Sequence, residues 1–158
     1  MHLKRVSIFV DGANLFYLQR DFFKWWLDPG KLLKFLVGPN YLFEAIWYTG
    51  ISPELDSEQR ESSDSFLRYL THTAGFSLHS KPLKMLGGAA KGSYKGNLDV
   101  EMAVDMMMRT QEVDIVYVVT SDGDFHYPAT LLKQQGKEVF VVSSSGWVAQ
   151  ELRFVVGD

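Results

Sequence analysis

Short, continuous apolar runs alternate along the chain with longer segments whose apolar residues return every three or four positions. Arg5 to Val10, Tyr41 to Tyr48, Phe76 to Leu83, Val113 to Val119 and Glu138 to Val142 read as strands. Val6-Ser7-Ile8-Phe9-Val10 and Ile115-Val116-Tyr117-Val118-Val119 are apolar enough to be buried on both faces, as parallel strands are. Between them lie helical segments. One follows Asp11 and carries Leu15, Leu18 and Phe22, and a second starts at Asp28-Pro29 and carries Leu32, Leu33, Leu36 and Val37. A third runs from Ser57 to Ala74 with Phe66, Leu67 and Leu70 turned inward. Asp99 to Arg109 should bury Val100, Ala103, Val104 and Met107. Tyr127 to Gln135 is helical, and a last helix begins near Trp147 and reaches Phe154. Strands alternating with helices predict an α/β fold, helices flanking a mostly parallel central sheet of about five strands. The first and fourth strands should lie side by side in its interior, bringing their carboxyl ends together.

Composition narrows the class. At 158 residues, with 46% hydrophobic and 14% aromatic content, the chain has material for one sizeable core. A single domain over residues 1–158 is expected. The apolar run Phe154-Val155-Val156 stops at Gly157-Asp158, so the last helix is expected to be truncated or to continue in a longer protein. There is no cysteine, which excludes disulfides and thiolate metal sites. No apolar stretch approaches the ~18 residues of a membrane helix, and the N-terminus enters a strand without a signal peptide, so a cytoplasmic protein without membrane contact is expected. The net charge of −3 does not mark the whole chain as a polyanion binder, so a local basic patch is the better test.

Four aspartates carry the candidate chemistry. Asp11 closes the first strand, Asp122 and Asp124 follow the fourth within Thr120-Ser121-Asp122-Gly123-Asp124-Phe125, and Asp99 opens a helix. Ligands of open parallel sheets collect outside the carboxyl ends of the strands. Carboxylates gathered there repel one another unless a cation compensates, and hard oxygen donors without sulfur point to Mg²⁺ or Mn²⁺. Each aspartate also has a plainer reading. Asp11 fits a turn into a helix, Asp124 fits a cap near Phe125, and Asp99 fits the favourable N-terminal end of a helix dipole. Asn14, in Asp11-Gly12-Ala13-Asn14, would assist at a phosphate or a bound water. Glu101, Asp105 and Arg109 share a helix face and read as a solvated ion-pair row.

A basic, glycine-rich segment supplies the counterpart. Lys81, Lys84, Lys91 and Lys95 have no acidic residue between them, and Tyr94 offers a stacking surface. The segment lacks the ending of a phosphate-binding P-loop. It reads either as a solvated loop or as the holder of a polyanion whose scissile phosphate reaches the aspartates. His2, His72, His79 and His126 lack metal-ligand spacing, and the serines have no His and Asp for a triad. The aromatic segment Phe22-Phe23-Lys24-Trp25-Trp26 is expected to pack or to form an interface, RNA stacking being the alternative. A homo-oligomer through Phe22–Trp26 is one such interface.

Taken in order, Val-Asp-Gly-Ala-Asn-Leu at 10–15, Lys-Gly-Asn-Leu-Asp-Val at 95–100 with Asp105 beyond, and Ser-Asp-Gly-Asp-Phe at 121–125 resemble the NYN domain. This is the PIN-like nuclease group that includes the bacterial LabA-type proteins. The likeness spans nearly the whole chain. It implies a three-layer, Rossmann-like PIN sheet and a metal-dependent endoribonuclease leaving 5′-phosphate and 3′-hydroxyl ends. By residue matching, Asp11, Asp99, Asp122 and Asp124 form the catalytic and metal-binding set, with Asn14 and Ser121 assisting and Lys84, Lys91 and Lys95 on the RNA. Asp105 matches a family position, but its helical phase points away from Asp99. Asn97 and Leu98 put two residues between Lys95-Gly96 and Asp99, where the commoner family form has one. Two other readings stand beside the nuclease: an RNA-binding or regulatory module with little or no turnover, and a nucleotide hydrolase or phosphatase on a similar sheet.

Overall fold

The computed structural model describes residues 2–85, 94–95 and 98–156, without the side chains of residues 85, 94, 95, 155 and 156. Its main sheet has five strands: β1 (Arg5–Asp11), β2 (Tyr41–Ile51), β3 (Ser77–Pro82), β6 (Ile115–Val119) and β7 (Glu138–Val142). A short antiparallel hairpin joins β4 (Lys84–Met85) to β5 (Tyr94–Lys95). The order across the main sheet is β3-β2-β1-β6-β7, and every pairing is parallel. β1 and β6 are interior neighbours, as their unbroken apolar runs require.

Parallel neighbours need crossovers, and these build the outer layers. α1 (Gly12–Tyr17), α2 (Pro29–Val37) and α3 (Ser57–Tyr69) cover one face. Their core contains Val6, Ile8, Val10, Leu15, Leu18, Leu36 and Trp47. α4 (Asp99–Arg109), α5 (His126–Gln134) and α6 (Gln150–Val156) cover the other. Phe9, Met102, Met106, Val116, Val118, Phe125 and Leu132 pack there. Strand side chains alternate, so Asp11 shares the face of Phe9, and Thr120 that of Val116 and Val118. Both therefore turn towards α4. The chain passes from β1 to β2 on one side and from β3 across to β6 on the other, so the strand order reverses at β1/β6.

Several boundaries differ from the sequence expectation, and one helix differs in phase. β2 runs on to Ile51 because β3 pairs with its second half, from Ile46 onward. α1 and α3 each end in a π-helical turn, Leu18–Phe23 and Leu70–Ala74, where the periodicity predicts continuous helix. The first closes with Lys24 in the left-handed region (φ 59°), and the Gln19 side chain then accepts a hydrogen bond from the Leu27 amide at 2.6 Å. Phe22 and Phe66, which the periodicity turns inward, are about half exposed. The last helix begins only at Gln150, a hydrogen-bonded turn occupying the chain around Trp147. In α4, Val100 and Val104 are 70% and 53% exposed, while Met102 and Met106 are buried. The helix is thus rotated from the expected stripe, because polar partners on β2 set its phase.

Candidate metal centre

β1 ends in Asp11, and a turn must follow at once. The Asp11 carboxylate caps α1, one oxygen accepting from the Asn14 amide at 3.0 Å. Its other oxygen accepts from the Thr120 hydroxyl at 3.1 Å. That hydroxyl accepts in turn from the Asp122 amide, also at 3.1 Å. Asn14 returns the connection, its side-chain oxygen accepting from the Ser121 amide at 2.9 Å. The ends of β1 and β6 are thereby tied into one unit. Gly12 permits this approach: a Cβ there would stand 2.2 Å from Trp47 Nε1 and 2.6 Å from the Tyr48 carbonyl oxygen. Backbone cannot move aside as a side-chain tip can, so residue 12 must be glycine.

Asp122 caps the 3₁₀ turn Gly123–Phe125 by accepting from the Asp124 amide at 3.0 Å. The alternative, Asp124 as the cap, is therefore not what the turn uses, and Asp124 is exposed to solvent. α6 closes the far wall: a Cβ on Gly123 would meet Ala149 Cβ at 3.2 Å and a Glu151 carboxylate oxygen at 3.3 Å. Asp99 stands in the first turn of α4. Asp99, Asp122 and Asp124 each present a carboxylate oxygen, and the three lie within 4.8 Å of one another. Neighbouring oxygens on an octahedral Mg²⁺ stand about 3 Å apart and opposite ones about 4.2 Å, so the three carboxylates share one ion once their side chains close in by up to about 2 Å. Asp11 lies behind them, buried, with its pKa pushed up to about 6, chiefly by burial and further by the charges of Asp99 and Asp122. Negative charge thus accumulates here, and a divalent cation fits both the spacing and the charge.

The other candidates fall in different places. Asp105 stands apart from the carboxylate group. It accepts from the Tyr48 hydroxyl at 2.7 Å and from Arg109 at 3.2 Å, and lies 3.5 Å from His79. Arg109 continues to Glu44 at 3.0 Å, and burial raises the Glu44 pKa. Helical spacing alone makes this row a solvated one; two of its three residues, Asp105 and Arg109, instead pin α4 to β2. Lys81 pairs with Glu101 at 2.6 Å, so one lysine of the basic segment is neutralised. Lys84 is exposed, whereas Lys91 and the side chain of Lys95 lie outside the described residues. Sequence reasoning missed Thr120, Ser143 and Glu151. Strand parity could have placed Thr120 on the face of Asp11. Ser143, whose hydroxyl lies 2.6 Å from that of Ser121, carried no signal because the contact joins two separate strand ends.

The layers and the parallel strand order define a three-layer α/β protein with a PIN-like fold. Within it, the chain belongs to the NYN domain family, whose profile matches residues 5–156. It is 32% identical over 154 residues to the low amplitude and bright protein LabA of Synechococcus elongatus, an alignment covering 94% of this chain and 78% of that protein. A crystal structure of a protein of unknown function from Vibrio parahaemolyticus superposes with a TM-score of 0.77 at 25% identity, over 98% of this chain and 90% of that one. Among the described residues, no helix is long and apolar enough to cross a membrane.

Proposed function

We propose that this protein is a metal-dependent endoribonuclease acting through the cleft at the carboxyl ends of β1 and β6. The observation that carries the reading is the approach of the Asp99, Asp122 and Asp124 carboxylates to within 4.8 Å of one another. Asp11 and Asp122 also serve as caps, but carboxylates gathered at a strand-order reversal make a site suited to a cation. Asp99, Asp122 and Asp124 would hold Mg²⁺ or Mn²⁺. Such an ion supplies Lewis-acid polarisation and lowers the pKa of water at the phosphodiester. Asp11 orders the floor, fixing Thr120 and through it the Asp122 backbone. Asn14 spends its carbonyl on Ser121, which leaves its amide NH₂ to donate to a phosphate oxygen. Lys84, Lys91 and Lys95 would draw the RNA backbone towards an otherwise repulsive cleft.

The deciding assay incubates purified protein with labelled single-stranded RNA in Mg²⁺, Mn²⁺ or EDTA. Internal cleavage with 5′-phosphate ends is expected with metal and none with EDTA. Asp124→Asn should lower the rate at least a hundredfold while leaving the fold intact, since Asp124 is exposed and the turn is capped by Asp122 instead. RNA bound but never cut would make the protein a binding module. Turnover confined to nucleotides or phosphomonoesters would make it a phosphatase-like hydrolase.

A further inference from the structure

An aromatic strip is tied at both ends to the turn that follows β6. Phe16, Tyr17, Phe22, Trp25, Trp26 and Trp147 are each 46–62% exposed. Five of the six lie within residues 16–26, and soluble proteins seldom leave so many large rings in water on one short segment. The rings are ordered against one another. Trp26 lies 5.4 Å from Phe16, Phe22 lies 5.6 Å from Trp147, and Trp25 stacks on Phe23 at 5.0 Å and 17°. Arg20 places its guanidinium over Tyr17 at 4.9 Å and over Phe16 at 5.7 Å.

Both ends of the strip are fastened to the same residue of the cleft. At the near end, α1 is held by Asn14 to the Ser121 amide. At the far end, Phe22 meets Trp147, two residues before Ala149, whose amide donates to the Ser121 carbonyl at 3.0 Å. We propose that this strip is a stacking platform for the bases of single-stranded RNA, whose backbone then crosses the Asp99, Asp122 and Asp124 cleft. The assignment rests on the ribonuclease reading and adds the surface on which the bases of the unpaired strand are held.

Charge favours a nucleic acid over a second copy of this chain as the occupant. Within residues 12–27 the one acid, Asp21, is neutralised by Arg20 through two hydrogen bonds of 2.6 and 2.7 Å, and Lys24 adds a positive charge. The adjoining cleft is acidic and Lys81 is already paired, so electrostatics alone hold RNA poorly here. Stacking on a π face is indifferent to sequence and needs no net charge. Bases in a duplex keep their faces covered by their own neighbours and cannot use the strip.

The test uses the full chain in EDTA, so that RNA is bound but not cut, with oligouridylate and oligoadenylate as single strands and an RNA duplex as control. Trp26→Ala and Trp147→Ala should each weaken single-strand binding about tenfold or more with an unchanged salt slope, and Trp→Phe at either position should restore most of it. Tryptophan emission should be quenched by the single strands and not by the duplex. Wild-type affinity in both alanine variants overturns the platform. So does a variant that loses only self-association in sedimentation, which makes the strip an interface between copies. Cleavage of a dinucleotide in Mn²⁺, too short to span the strip, is read in parallel. A platform that binds while no substrate is cut would remove the nuclease reading alone, and cleavage with unaltered binding in the variants would remove the platform alone.

Discussion

Asp11 holds two positions that pull against each other. As a cap and as the acceptor of the Thr120 hydroxyl it is a structural residue; as a buried charge beside Asp99 and Asp122 it is a destabilising one. Its folded pKa is about 6 against an ordinary 3.8. A raised carboxyl pKa means that the folded chain binds the proton more tightly, so stability is greatest below about pH 4 and falls as pH rises to about 6. The difference across that window is on the order of 3 kcal/mol. Urea unfolding in EDTA between about pH 4 and pH 7 should show this fall in the wild type and a flatter line in Asp11→Asn. Equal slopes would mean that Asp11 carries no uncompensated charge. Added Mn²⁺ should reverse the loss in the wild type, because an ion that binds only the folded state stabilises it by mass action.

At the scale of elements, α4 shows what can be read from sequence and what cannot. Asp99 is legible because a helix start is marked locally, and the strand ends at Asp11 and Asp122 are legible because apolar runs stop there. The rotation of α4 is not legible. Val100, Met102, Ala103, Val104, Met106, Met107 and Met108 distribute apolar side chains around most of the helix, so periodicity alone cannot choose a face. The choice is made by Tyr48 on Asp105 and Glu44 on Arg109, pairs 57 and 65 residues apart in the chain. The π-helical turns are hidden for a similar reason, since no Gly or Pro marks the ladder between Leu15 and Phe23. Asp105 thus positions the helix that carries Asp99. Tyr48→Phe should cost about 1 kcal/mol in thermal unfolding, with Mn²⁺ affinity lowered by no more than about threefold. Asp105→Asn should leave metal affinity within about threefold of the wild type, whereas Asp99→Asn should lose at least tenfold. Calorimetric titration separates the two, and equal losses would put Asp105 among the ligands.

Over the whole molecule, charge is divided between an acidic cleft and whatever brings phosphate to it. A chain of net charge −3 gains no general attraction for RNA, so the proposed binding would have to be local. Replacing Lys84, Lys91 and Lys95 together with Ala should weaken RNA binding and flatten its dependence on salt. The log–log slope should fall by about 0.7 for each phosphate of the single strand that a lysine no longer neutralises. Metal affinity should be nearly unchanged. A salt series on the triple variant reads the slope, and a Mn²⁺ titration of the same protein reads the affinity. A slope equal to that of the wild type would place the backbone elsewhere, over Arg20 and Lys24.

The bonds from Thr120 to Asp11 and from Ser121 to Asn14 join residues 109 and 107 positions apart. The floor of the cleft therefore has no local precursor. A chain still being synthesised, with β1 complete and β6 not yet made, holds Asp11 but nothing for it to close against. Pairings this distant in sequence meet their loop-closure entropy before they return any energy. An ion held by Asp99, Asp122 and Asp124 would meet the finished cleft, floored by Asp11, only after β1 and β6 have found each other. Its kinetic effect would then be that of a latch, prolonging the lifetime of the finished protein while leaving the time needed to make it unchanged.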